Sequence, residues 1–344
     1  MRGVSCSPVP YPDELIYSVW ARVSTRLGYV SQPVMHRILF GNPKHREPLQ
    51  FSRSISMLAD WVGSGSIKDL VRHNSLLPLY GFFLPSPVWN QLRTAVHDGV
   101  LPNSGLPEVI QEVSTYTRFS FCSSCVSADR EAFGETFWHR SHLIPGIIVC
   151  PLHQEFLHRL PRKATGTQKL LKGELVTAEK IIPTHVLHQP LDPSNLLHRT
   201  ALHVAQSAYS LLSNPQCFEY QRRFFKTYFQ ALRNVLSPSR MTDTGEDFLS
   251  LAKSYFKMAS AKTRTAYARI WLCWPTRNLH PAYHFLLMSF LNCSFNGLMT
   301  GHAPSVWRYA PQPPQSAWLH MFPINEPSTE GQSSNEGTVD GDAS

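Results

Sequence analysis

No stretch of this 344-residue chain approaches the roughly 20 consecutive apolar residues that cross a bilayer. The opening segment from Met1 to Pro12 lacks the apolar core of a secretory signal. Those two absences exclude a membrane partner and predict a cytoplasmic protein. Cysteine is scarce and odd in number, seven in all. In a reducing compartment, closely spaced Cys read as metal ligands rather than disulfides. Catalytic signatures are also missing. The chain has 16 His but no His-Glu-x-x-His, no Gly-x-Ser-x-Gly, and no helical carboxylate pair beside a ligand His. The string Gly63-x-Gly65-x-x-Lys68 lacks the Gly-Lys-Ser/Thr that completes a phosphate-binding loop. The expectation is a binding protein, not an enzyme. Lys and Arg are absent from Asn325 onward, where Glu326, Glu330, Glu336, Asp340 and Asp342 accumulate. The whole chain carries +8, so the part before this acidic tail is five charges more positive. A basic body with an acidic tail suits a polyanion partner such as nucleic acid, although a solvated basic surface gives the same balance.

What is present is more specific. Cys122, Cys125, Cys150 and His153 form the pattern Cys-x2-Cys, 24 intervening residues, then Cys-x2-His. Each knuckle turns the chain so that both its ligands face one point, which is what a tetrahedral zinc ion requires. Four protein ligands leave no coordination position for water or substrate, so the zinc this pattern predicts is structural rather than catalytic. A module so small buries little surface alone, and metal binding would supply its folding energy. Phe137 and Trp138 are the aromatic residues expected to cover the knuckles or pack in the core.

The fold class predicted is mainly α with a small zinc-ribbon-like module. Residues 1–107 read as an N-terminal helical unit, 108–160 as the zinc-binding module and 161–193 as a basic connector. Residues 194–300 read as a C-terminal helical domain. Residues 301–344 form a Pro/Ser/Gly-rich acidic tail, disordered from about 325. Asp13 is placed to cap a first helix whose stripe is Leu15, Ile16, Val19, Trp20, Val23 and Leu27, ended by Gly28. Ser31 and Pro33 open a second, with Val34, Ile38 and Leu39 on its apolar side. This pair resembles either the start of a helix-turn-helix or part of a small bundle, and the bundle is favoured. Further helices are predicted over 54–62, 67–73 and near 89–97. Ser194 caps a long helix, followed by helices over 216–236, 245–259, 262–273 and 283–292.

Two basic clusters lie in the C-terminal half. Arg222, Lys226 and Arg233 fall on one side of a helix, with Arg223 beside them and Phe225, Phe229 and Leu232 on another side. Lys253, Lys257, Lys262, Arg264 and Arg269 extend over the next helices. Such rows suit DNA phosphates, each neutralised charge making binding more salt-sensitive. They also suit a solvated helix face. The Lys163–Lys172 connector is a weaker candidate.

Letters around the four ligands add a family likeness. Phe121-Cys-Ser-Ser-Cys125, Asp129, Gly134-Glu-Thr-Phe-Trp138, Arg140, Leu143-Ile-Pro-Gly146, Val149-Cys-Pro-Leu-His153 and Leu157 resemble the TniQ/TnsD family of transposition proteins. The opening Pro8-Val-Pro-Tyr-Pro-Asp-Glu-Leu-Ile-Tyr-Ser18 with Ala21-Arg22, and Leu76-Leu-Pro-Leu-Tyr80, look like the TnsD branch. Ser123 stands where relatives often have Pro, and Gln154 where many have Gly. The resemblance implies target-site selection for a cut-and-paste transposon: binding target DNA, and recruiting an AAA+ ATPase regulator and the transposase subunits. The alternative it implies is a TniQ-type adaptor linking an RNA-guided effector complex to that machinery. It also implies an ATPase-docking surface on the N-terminal helical unit, for which Arg22 and Arg26 on the polar side of the first helix are the candidates.

Overall fold

The computed structural model describes residues 8–28, 31–44, 55–62, 66–97, 119–160, 174–214, 216–235, 241–259 and 280–302. The helix predicted over 262–273, with Lys262, Arg264 and Arg269, lies outside the described residues. So do Lys163, Lys169, Lys172, Gly63, Gly65 and the acidic tail.

Helix α1 (Ile16–Leu27) buries Ile16, Val19, Trp20 and Val23, and stops where Gly28 adopts φ 69°, a conformation that glycine reaches without side-chain strain. Asp13 does not cap it. Leu15 occupies the cap position, while Asp13 sits at φ 60° and turns its carboxylate toward Arg140 and Ser141. Helix α2 (Gln32–Phe40) buries Met35, His36, Leu39 and Phe40, leaving Val34 46% and Ile38 41% exposed. Of the predicted apolar side, Leu39 is buried and Val34 and Ile38 are not, the inward face lying one residue on, with Phe40 against Trp20 at a ring-centroid distance of 4.8 Å. Helices α3 (Ile55–Val62) and α4 (Ile67–Asn74) follow, α4 capped by the Ser66 hydroxyl, which accepts from the Asp69 amide. Every residue of α5 (Leu77–Phe83) is buried. Helix α6 (Ser86–His97) crosses it at Gly81, where an added Cβ would lie 2.3 Å from the Trp89 ring.

The middle of the chain holds a two-stranded antiparallel ribbon, β1 (Ser120–Phe121) with β2 (His158–Arg159), pairing Ser120 with Arg159 and Phe121 with His158. Between them lie α7 (Ser123–Phe133) and a 3-10 turn, Arg140–Leu143. Trp138 and Phe137 anchor this module to its surroundings. The Trp138 amide donates to the Ser18 hydroxyl and its indole to the Val176 carbonyl, while Phe137 packs on Tyr11 and Phe133. The described part of the predicted connector, from residue 174, is built into the fold. Leu175, Ala178 and Ile182 are buried, and Glu179 pairs with Arg130 at 3.0 Å.

In the C-terminal half, α8 (Leu196–Ser213) is capped by Asn195 rather than Ser194. The Asn195 side chain accepts from the amides of Leu197 and His198, and the Ser194 hydroxyl donates to Asp192 instead. Helix α9 (Gln221–Val235) starts after the predicted residue 216, since Gln216–Tyr220 form turns. Helix α10 (Met241–Met258) starts earlier than predicted, and α11 (Pro281–Phe290) opens on proline, whose missing N–H costs nothing there. A short α12 (Phe295–Thr300) was not foreseen. Phe82 and Phe83 of α5 meet Phe224 and Phe225 of α9, with Phe285 and Phe295 completing the cluster. Helices α5, α9, α11 and α12 thus share one aromatic core. The module joins it where Tyr255 donates to the Gly146 carbonyl at 2.8 Å and Arg159 to the Ala259 carbonyl at 2.7 Å.

Candidate metal centre

The two knuckles are built by different local devices. Cys122 caps α7, its sulfur accepting from the Cys125 amide at 3.4 Å, which brings Cys125 round beside it in the first turn. The second knuckle is a turn in which the Cys150 sulfur accepts from the His153 amide at 3.4 Å. Gln154 closes that turn at φ 55°, a left-handed conformation glycine would adopt more easily. Bridges between Val149 and Phe156, and between β1 and β2, hold the knuckles against each other.

The four ligand atoms lie within 4.8 Å of one another. His153 Nδ1 is 3.4 Å from the Cys122 sulfur, 3.2 Å from Cys125 and 3.7 Å from Cys150, and the Cys125 and Cys150 sulfurs are 3.7 Å apart. A tetrahedral zinc with bonds of about 2.3 Å to sulfur and about 2.0 Å to nitrogen sets its ligand atoms roughly 3.5–3.8 Å apart. The donor set and the spacing both fit such an ion. The three Cys are buried and His153 is exposed. Without a cation, hydrogen bonding to the Cys122 and Cys150 sulfurs raises the Cys125 thiol, while the bonds Cys150 receives from Cys122 and Cys125 lower it. A cation is what would let all three ionise together.

The surroundings hold residues the sequence pattern did not mark. Glu155, fully buried, accepts from the Ser123 hydroxyl, the Ser124 amide and the Cys122 thiol, and contacts His188. It fixes the start of α7, where a carboxylate suits the positive helix end. The 3-10 turn is clamped from the N-terminal unit. Arg140 donates to Asp13 at 3.0 Å and to the carbonyls of Arg72, Ser75 and Leu212. His139 lies between Asp129 (2.9 Å) and Asp13 (3.6 Å). Burial alone would lower its pKa, but the two carboxylates push it up to about 9. Burial likewise would raise Asp13, yet hydrogen bonding from His139 and the charge of Arg140 hold it down at about 2. Such residues carry no spacing signal, because their partners come from segments distant in the chain.

The expected docking pair divides. Arg22 is not on the surface: it is 2% exposed, pairs with Glu14 at 2.7 Å and Glu135 at 2.9 Å, and lies 3.6 Å over the Tyr11 ring. The helical stripe read Arg22 as polar and outward, but the Pro-Tyr-Pro segment folds back over that side of α1 and encloses it. Arg26, one turn on, is 42% exposed. Among the cationic candidates, Arg222, Arg223, Lys226, Lys253 and Lys257 are all exposed. Among the described residues no carboxylate pairs with any of them, and Arg223 faces the Tyr220 ring at 5.8 Å. The side chain of Arg233 lies outside the described residues.

A helical protein organised round a Cys3His knuckle pair, with the pair locked to its N-terminal helices, is the class that fold and site define. Residues 6–157 match the TniQ family. The chain is also similar to the transposon Tn7 transposition protein TnsD of Escherichia coli, 29% identical over 157 residues. That match takes in 42% of this chain and 30% of the relative's length, less than a third of it. Among the described residues no helix is long and apolar enough to cross a membrane.

Proposed function

We propose that this protein selects target sites for a cut-and-paste DNA transposon, acting as a cytoplasmic targeting protein rather than an enzyme. The observation that carries the reading is a Cys3His cluster with metal-ligand spacing inside the segment that matches the TniQ family. A zinc ion held by Cys122, Cys125, Cys150 and His153 has a structural role: it ties α7 to the turn at residues 150–153. The similarity to a Tn7 transposition protein supports a partnership with transposition machinery, namely an AAA+ ATPase regulator and the transposase. The exposed cations Arg222, Arg223 and Lys226 on α9, with Lys253 and Lys257 on α10, are the surface assigned to target DNA. Arg233, Lys262 and Arg264 are assigned to target DNA from the sequence alone. Arg26 is assigned to the ATPase-docking face. Affinity purification followed by sequencing of the bound nucleic acid tests the reading. Enrichment of one chromosomal locus supports DNA-directed selection. Recovery of a small guide RNA replaces it with the adaptor role, and recovery of neither overturns both.

A further inference from the structure

A second imidazole stands beside the cluster. His142 is 2% exposed, and its Nε2 lies 3.7 Å from the Cys125 sulfur. Its Nδ1 is buried without a hydrogen-bond partner, so sulfur is what this ring addresses. The neighbouring His139 ring, at a centroid distance of 4.8 Å and tilted 39°, packs against it without bonding. The turn that carries His142 is also held from outside the cluster. It belongs to the 3-10 turn whose Arg140 and Ser141 are held by Asp13.

Three thiolates and a neutral imidazole around a divalent ion leave one net negative charge on the sulfurs, and N–H donors to sulfur stabilise it. Cys122 receives the Cys125 amide and Cys150 receives the His153 amide. Neither amide serves Cys125, which lies 3.7 Å from His142 Nε2; the ring also bonds to the Cys150 sulfur, which already has the His153 amide. We propose that His142 is a positioning residue of the metal centre: as the Nε2–H tautomer it donates to the Cys125 thiolate, supplying the donor that the backbone does not. This rests on the proposed metal-binding reading of the four ligands.

The test uses the full chain loaded with zinc or with cobalt(II), reading metal affinity by chelator competition and the sulfur-to-cobalt charge-transfer band. His142→Leu should weaken metal binding by about tenfold to a hundredfold, the range of lost outer-shell partners. It should also move the charge-transfer band to lower energy, because an unbonded thiolate is more electron-rich. His142→Gln places an amide N–H near the Nε2 position and should recover most of the affinity and the band. A loss of packing alone would reduce stability without moving the band. If His142→Leu does not fold, His142→Asn, too short to reach sulfur, provides the same contrast with His142→Gln. Unchanged affinity and an unchanged band in the donor-less variant would overturn the proposal while leaving the metal site intact. Failure of the unmodified chain to bind either metal would overturn the metal reading and this inference with it.

Discussion

Replacing Arg22 with leucine should destabilise the protein in proportion to how strongly its buried partner is ionised. Arg22 and Glu14 are 2% and 0% exposed, and their pairing is reinforced by Glu135, the Val9 carbonyl and the Tyr11 ring. Removing one member of a buried pair costs about 3–5 kcal/mol, because the other is left as an uncompensated charge. Burial pushes the Glu14 carboxyl up to about 7 even with Arg22 beside it. A carboxyl raised in the folded state contributes stability that is fully present below its unfolded pKa, about 4.5, and is lost as pH rises through 7. Without Arg22 the carboxyl rises further, so the additional loss appears only above pH 7. Urea unfolding should therefore show a gap between the original and the Arg22→Leu protein of about 2.5–3.5 kcal/mol at pH 8, of which about 1.4 kcal/mol comes from the one pH unit above 7. At pH 5 both folded proteins hold Glu14 neutral, and the gap should contract to about 1–2 kcal/mol for the remaining lost hydrogen bonds. Adding Glu14→Gln should recover much of the loss at pH 8. A gap that is absent, or equal at both pH values, would refute the enclosed-pair reasoning. By the same logic Arg22→Glu should unfold the protein, whereas Arg26→Glu on the exposed next turn should fold normally and weaken ATPase recruitment.

Chelation, or Cys122→Ser, should abolish cooperative unfolding of residues 119–160, since structural zinc contributes on the order of 10–16 kcal/mol in small finger peptides; far-UV and near-UV circular dichroism retained after zinc removal would count against it. Burial holds His284 down at about 3, stacked on Phe83 with ring centroids 4.3 Å apart. A depressed histidine costs stability as pH falls below its unfolded pKa near 6.5, so His284→Phe should flatten the decline between pH 6.5 and 4.5 by about 1.4 kcal/mol per pH unit, seen in urea titrations. An unchanged slope would show that His284 is not held neutral. Arg222→Ala with Lys226→Ala should lower the slope of log binding constant against log salt by about two for duplex DNA. Equal slopes in filter-binding titrations would remove α9 from the interface.

Much of the fold was legible because it follows from periodicity and punctuation. The stripe of α1 and its Gly28 stop were read as they stand, and α6, α8 and α9 lie within a few residues of their predicted places. Errors gather where a partner from elsewhere in the chain outbids the local choice. Asp13 has the composition of a helix cap, but Arg140 and Ser141, 127 and 128 residues away, take its carboxylate. The Val34–Ile38 side of α2 is as apolar as the side that is buried, and contacts from elsewhere in the chain, such as Trp20 on Phe40, decide between them.

The sequence by itself determined the metal-type ligand set, because tetrahedral coordination imposes short, regular spacings within each knuckle. It determined the helical class too, since amphipathic periods are local. Tertiary structure alone decided that Arg22 is enclosed, that Glu155 and His142 stand beside the sulfurs, and that Asp13 and Arg140 lock the module to α1. Each of those depends on which distant segments meet in space, and a burial or an ion pair between such segments leaves no period in the chain to read.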